Sequence, residues 1–216
     1  MELRSDNEGY RRFREAMDKG RLRPGMVLTQ NALCKILGLS LTPLRETLVL
    51  LEEYGLVEVR PRTGIQIVYP EVAFIRENFQ FRIMIETHAL RLFAQTDNLG
   101  WLADMRERHE QSQVELAQLG NLDLAIDRFV ATDRAFHADI VAVLNNSWIS
   151  RTHQRLQANI GMARLTHARG PFKNQLLETV AEHMRIIASL EAGDIEAAVG
   201  NLEAHFRAST HRTFAA

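Results

Sequence analysis

Apolar residues recur with helical spacing along most of this chain and switch to strict alternation in one short window. Residues 9–19 (GYRRFREAMDK) read as a short helix closed by Gly20, and RLRPG reads as a turn. Thr29 is placed to cap the helix QNALCKIL, which stops at Gly38. Thr42 is placed to cap a longer helix with Pro43 at its first position, running to Tyr54 and halted by Gly55. LVEVR and GIQIV then alternate in period two around PRTG, so residues 56–68 predict a β-hairpin. Helix, helix, tight turn, helix, hairpin is the order of a winged helix-turn-helix.

From Pro70 onward the period is helical throughout. Helices are expected near 71–96, 99–119, 121–145, 147–168, 173–192 and 194–213, separated by breakers such as Asp97-Asn98, Asn145-Asn146 and Gly193-Asp194. Short connections make consecutive helices antiparallel neighbours, hence a bundle. The expected fold is mainly α, with a winged helix-turn-helix over residues 1–69 and an all-helical antiparallel bundle over residues 70–216.

Charge follows the same boundary. Residues 1–69 carry a net +2 and no histidine, whereas residues 70–216 carry −3 and all eight histidines, which suggests two domains with different tasks. Hydrophobic residues at 46% and charged residues at 25% suit packed cores and exclude global disorder. No apolar run approaches the roughly 20 residues of a membrane span. The charged N-terminus lacks the apolar core of a signal peptide, so a cytoplasmic protein is expected. The single cysteine, Cys34, excludes an intrachain disulfide and reads as packing in an apolar helix.

A helix reads DNA by laying its N-terminal residues against base edges in the major groove. Ser40, Thr42 and Arg45 supply that end here: two short hydroxyls, and a guanidinium able to contact guanine bidentately. Arg60, Arg62, Thr63 and Gly64 form a basic hairpin tip suited to phosphates or the minor groove.

The second part places polar groups on apolar faces. Asp133 and His137 fall in the middle of the stripe of Phe129, Phe136, Ile140, Val141 and Leu144. His183 lies on the stripe of Leu176, Val180, Met184, Ile187 and Leu190, and His205 at the edge of that of Ile195, Val199, Leu202 and Phe206. Three inward imidazoles and one carboxylate are the ligand set of a borderline divalent metal, Zn²⁺ first and Ni²⁺ or Mn²⁺ after it. Arg82 lies within an apolar stripe with Phe74, Asn78, Ile85, Ala89 and Phe93; it reads either as an internal pair with Glu86 or as an anion clamp. Asn159, on the stripe of Trp148, Thr152, Leu156 and Ala163, could donate to the same anion. His88, His109, His153 and His211 show no partner spacing and read as surface or packing residues, while His167 is open between packing and pocket.

The run FREAMDKGRLRPG through LGLSLTPLRETL to LEEYGLVEVRPRTG resembles the DNA-binding domain of the GntR family of bacterial transcription regulators over nearly all of residues 9–69. TDRAFH, AEHMRII and EAHFRA resemble the metal-binding helical effector domain of its FadR-type subgroup, as does the pair Arg82–Glu86 in its R-x-x-x-E spacing. The resemblance implies a homodimer on a palindromic double-stranded DNA operator. It implies Asp133, His137, His183 and His205 as metal ligands, and a small organic acid as effector. Leu41 and Asn31 stand where the family usually has arginines, so the resemblance does not specify the operator half-site. The expected function is ligand-responsive transcription regulation. The rival is a metalloenzyme with an accessory DNA-binding domain, disfavoured because no HExxH is present and no Glu stands three before any histidine. A third reading has the ion itself as the effector.

Overall fold

The computed structural model describes residues 8–68, 72–118, 122–167 and 172–214. The chain divides into two compact units: residues 1–75 with 155–167, and residues 76–154 with 168–216.

The first unit carries α1 (Glu8–Asp18), β1 (Val27–Leu28), α2 (Gln30–Leu37), α3 (Leu41–Glu53), β2 (Val57–Arg60) and β3 (Gly64–Ile67). Thr29 caps α2 as its sequence suggests, its hydroxyl accepting from the Ala32 amide at 3.1 Å. Gly55, at φ 67°, ends α3 in a Schellman turn: its own amide bonds Glu52 O and that of Leu56 bonds Leu51 O. The start of α3 corrects the sequence reading. Ser40, not Thr42, holds the N-cap position, with no side-chain capping bond, and Thr42 and Pro43 lie inside the first turn. Proline is tolerated there because the first helical amides have no intrahelical acceptor in any case.

The strands form an antiparallel sheet in the order β1-β3-β2, with Val59 opposite Ile65 and Arg60 opposite Gly64. Strand β1 is too short for alternation to announce it. Phe13, Leu33, Leu44, Leu51, Ile65 and Ile67 are fully buried at the centre of this unit, and Tyr10 meets Tyr54 edge-on at 5.6 Å. Cys34 packs at the margin of this core. Helices α1 and α3 approach so closely at Gly9 that a Cβ there would lie 2.8 Å from Thr47 Cβ and 1.8 Å from its hydroxyl. Gly9→Ala should therefore destabilise the winged unit by about 1–3 kcal/mol through overpacking. An unshifted first transition in thermal unfolding of the full chain would contradict that close approach.

The second unit is built from α4 (Val72–Phe93), α5 (Leu99–Ala117), α6 (Leu122–Ala142), the first part of α7 (Ser147–His167), α8 (Phe172–Glu191) and α9 (Ile195–Phe214). α8 packs against both α9 and α5, and α5 against α6. Asn146 caps α7 by accepting from the Trp148 and Ile149 amides, and Asp194 caps α9 through Ala197. Phe129, Phe136, Phe206, Ile140 and Ile187 fill the interior, where Phe136 stacks on His183 at 4.3 Å. Among the described residues no helix is long and apolar enough to cross a membrane.

One helix face differs from its sequence pattern. Trp148 is 75% exposed, with Arg151 stacked over its ring at 4.9 Å; Leu156 is buried as expected, and the other buried residues beside it are His153 and Ile160. The inward stripe is thus rotated away from Trp148 and Thr152.

Candidate metal centre and nucleic-acid interface

The winged unit presents its predicted reading residues to solvent. Ser40, Thr42 and Arg45 are exposed at the start of α3, and Arg60, Arg62 and Thr63 are exposed in the hairpin. Arg12 bonds the Leu37 and Gly38 carbonyls at the end of α2, tying α1 to the turn that precedes α3. Glu52 of α3 accepts from the Val59 amide at 2.9 Å, tying the reading helix to the wing. Arg60 is engaged with Glu58 at 2.8 Å. Arg45 and Arg62 have no ion-pair partner among the described residues, and Arg62 stands in the left-handed region at φ 66°. Gly64 has a backbone reason for being there: at φ 118°, a Cβ would lie 2.6 Å from the Leu28 carbonyl oxygen. Leu41, the first residue of α3, is 44% exposed beside these polar groups.

In the helical unit, α6, α8 and α9 converge. His137, His183 and His205 are fully buried, and one ring nitrogen of each lies within 4.8 Å of the others. Asp133, one turn before His137, places Oδ1 3.8 Å from His183 Nε2 and keeps 16% of its side chain exposed. The three histidines picked out from their helical stripes are thus brought together, with the aspartate at their edge. Asn159 and His167 have side chains outside the described residues.

The shell around the triad is polar, buried and largely satisfied. His137 Nδ1–H donates to Glu86 Oε2 at 2.5 Å, and His205 Nδ1–H to Glu182 Oε2 at 2.7 Å. A carboxylate can only accept, so each ring keeps its proton on Nδ1 and leaves Nε2 bare. Glu86 also accepts from Arg82 Nε at 2.6 Å and from His153 Nε2 at 2.8 Å. The Arg82–Glu86 pair is therefore present, and the same carboxylate serves two histidines. Arg212 grips both oxygens of Glu182 at 2.7 Å. On the far side, His109 lies 2.6 Å from the Met105 carbonyl and 2.9 Å from His183 Nδ1.

Electrostatics fix the protonation states. Burial alone would raise the Glu86 carboxyl, but Arg82, His137 and His153 hold it well below the usual range. Burial would likewise raise Glu182, which Arg212 and His205 bring down to about 2. Burial pushes His137 down to about 4 against the pull of Glu86, and lowers His205 and His109 as well. At neutral pH Glu86 and Glu182 are thus ionised while His137 and His205 are neutral, the state a metal requires of such ligands.

Sequence reasoning missed several members of this shell. His109 is fully buried on the α5 stripe of Leu102, Met105, Ser112 and Leu116, the same signal that marks His183. His153 is buried on a face of α7 that the exposed Trp148 does not share. Glu182 and Arg212 come together only through the packing of α8 on α9. Two buried donors, Arg82 Nη2 and Asn78 Nδ2, lie one turn apart on α4 and have no hydrogen-bond acceptor among the described residues.

A winged helix with an exposed basic reading end, joined in one chain to a helical bundle built around a buried imidazole triad, defines a DNA-binding regulator that carries its own effector domain. Residues 7–67 match the gntR family of bacterial regulatory proteins, and residues 77–208 match the FCD domain. The chain belongs to the gntR family of transcription regulators, in the subgroup with an FCD effector-binding domain. It is 25% identical over 92% of its length to an uncharacterized HTH-type transcriptional regulator in an unstable DNA locus of Streptomyces ambofaciens, covering 80% of that protein. It is 24% identical over 91% of its length to the HTH-type regulator YdhC of Bacillus subtilis, covering 85% of it. Its fold resembles that of E. coli McbR/YncC, with a TM-score of 0.74, 21% identity and coverage of 96% and 95% of the two chains. The metal-free FCD domain of TM0439 matches 67% of this chain and 94% of its own, with a TM-score of 0.54 and 20% identity. These families and relatives are regulators, not enzymes, so the metalloenzyme alternative is set aside.

Proposed function

We propose that this regulator senses a small organic acid through a divalent metal ion, most naturally Zn²⁺, held by Asp133, His137, His183 and His205. The observation that carries the reading is the buried triad, with two Nδ1 protons pinned by carboxylates so that bare Nε2 atoms are left. Nitrogen and carboxylate donors of this kind suit zinc, with nickel and manganese as close alternatives. A bound ion would supply Lewis-acid positions for the oxygens of a carboxylate effector.

Charge supports an anionic effector. Arg82 balances Glu86 and Arg212 balances Glu182, so a divalent ion with Asp133 leaves one net positive charge. One carboxylate neutralises it. The buried donors of Arg82 and Asn78 would be satisfied by effector oxygens, since a buried donor without an acceptor costs about 1–3 kcal/mol. Arg82 is held in place by Glu86 and by the Phe206 ring, 4.8 Å from its guanidinium carbon.

DNA binding is assigned to Ser40, Thr42, Arg45, Arg60, Arg62 and Thr63, with Gly64 shaping the wing. A homodimer on a palindromic operator, acting in the cytoplasm, completes the reading. The outward face of α4 supports the dimer: Phe81, Met84 and Leu92 are exposed on one side of it. An effector changes DNA affinity only by binding one arrangement of the dimer better than another.

Zinc and a panel of small carboxylates, titrated separately and together in a mobility-shift assay, test this directly. The expected result is a change in DNA affinity that needs both, from a protein that light scattering shows to be a dimer. A response to zinc alone would make the ion the effector. No zinc uptake, or a monomer at micromolar concentration, would overturn the corresponding part of the proposal.

A further inference from the structure

The three histidines of the triad are not held alike. His137 and His205 each donate to a carboxylate, whereas His183 Nδ1 faces another imidazole, that of His109, at 2.9 Å. Two imidazoles in contact share one hydrogen, and which ring supplies it decides whether His183 Nε2 is bare or protonated.

The structure assigns that choice to His109: we infer that it is a positioning residue that fixes the metal-competent tautomer of His183. His109 Nδ1 lies 2.6 Å from the Met105 carbonyl oxygen. A carbonyl can only accept, so that nitrogen must be the protonated one. With that proton on Nδ1, the ring turns a bare Nε2 toward His183, and this nitrogen can only accept. His183 must donate to it through Nδ1–H, and its own Nε2 is left bare on the side of Asp133, whose Oδ1 is 3.8 Å away. The opposite tautomers would set a bare Nδ1 of His109 against the Met105 oxygen, lone pair to lone pair. The helical carbonyl of Met105 is thus the fixed point of a relay through two rings. His109 is fully buried and Phe136 packs against both rings, at 5.6 Å from His109 and 4.3 Å from His183, so the geometry is locked by packing. An ordering group of this kind commonly governs metal affinity by about 10–100-fold.

This inference rests on the metal reading above, and its test separates the two. In the metal-free wild-type chain, ¹⁵N-detected imidazole NMR is expected to show His183 protonated at Nδ1 and bare at Nε2. The reverse pattern would overturn the inference whether or not any metal binds. For the zinc arm, His109→Gln retains an amide N–H for Met105 and an amide oxygen for His183, and should bind zinc within about threefold of wild type in chelator competition. His109→Phe keeps the packing but cannot accept from His183, and should lose about 10–100-fold. Equal zinc affinity in both variants would overturn the proposal. The NMR arm and the Gln variant do not depend on the Phe variant folding. If wild type takes up no zinc, the metal reading fails and the NMR pattern alone decides the role of His109.

Discussion

His183→Ala and His205→Ala are each expected to abolish metal uptake, taking the proposed occupancy of about one ion per chain to almost none. Either change removes one of three buried imidazoles whose nitrogens lie within 4.8 Å of one another. Changes outside the immediate ligands already cost up to about 100-fold in affinity, and loss of a ligand costs more. Response to an organic acid should disappear with the ion. Binding to DNA should persist, because Arg45 and the wing belong to the other unit. His205→Ala leaves Glu182 gripped by Arg212, so no buried carboxylate is stranded. Elemental analysis together with a mobility-shift assay checks both halves. A full complement of metal in either variant would remove the histidine from the ligand set.

Arg45→Ala should abolish selective operator recognition. The residue is exposed one turn into α3, with no ion-pair partner to neutralise it among the described residues. A bidentate base contact is worth about 1–3 kcal/mol, and the proposed two-fold dimer would lose it twice. Affinity for the native site should fall by about 30- to 10⁴-fold, while affinity for random DNA changes little. Arg62→Ala should behave differently, weakening binding to all sequences alike and reducing the salt dependence by about one unit for each lost phosphate contact. Undiminished selectivity in Arg45→Ala would move the reading head elsewhere on the chain.

Much of this was legible because local chemistry and tertiary demand agree. Thr29 caps, Gly38 and Gly55 stop, and the 2-residue period over residues 56–68 becomes β2 and β3. The triad was legible because each imidazole breaks an otherwise apolar stripe on its own helix. Local rules failed where a preference was indifferent. Thr42-Pro43 suits both a cap and a first turn, and the two-residue β1 has no period to read. The carboxylate shell was hidden for another reason. Glu86 meets His137 and His153 across 51 and 67 residues of chain, so their contact depends on helix rotations that no single stripe records. His109 carries the same mark as His183, but its partner lies 74 residues away, beyond any helical spacing.

The left-handed backbone of Arg62 sets its proposed role on DNA against the stability of the wing. A side chain with a Cβ held in that region costs of order 1–3 kcal/mol, a cost that glycine would escape. The winged unit is small, and natural chains stand only a little above the stability they need. Selection for thermal robustness alone would drive this position toward glycine, at the cost of a cation at the tip of the wing. If Arg62 holds a phosphate as proposed, Arg62→Gly would raise the melting temperature of the winged unit while weakening its hold on DNA.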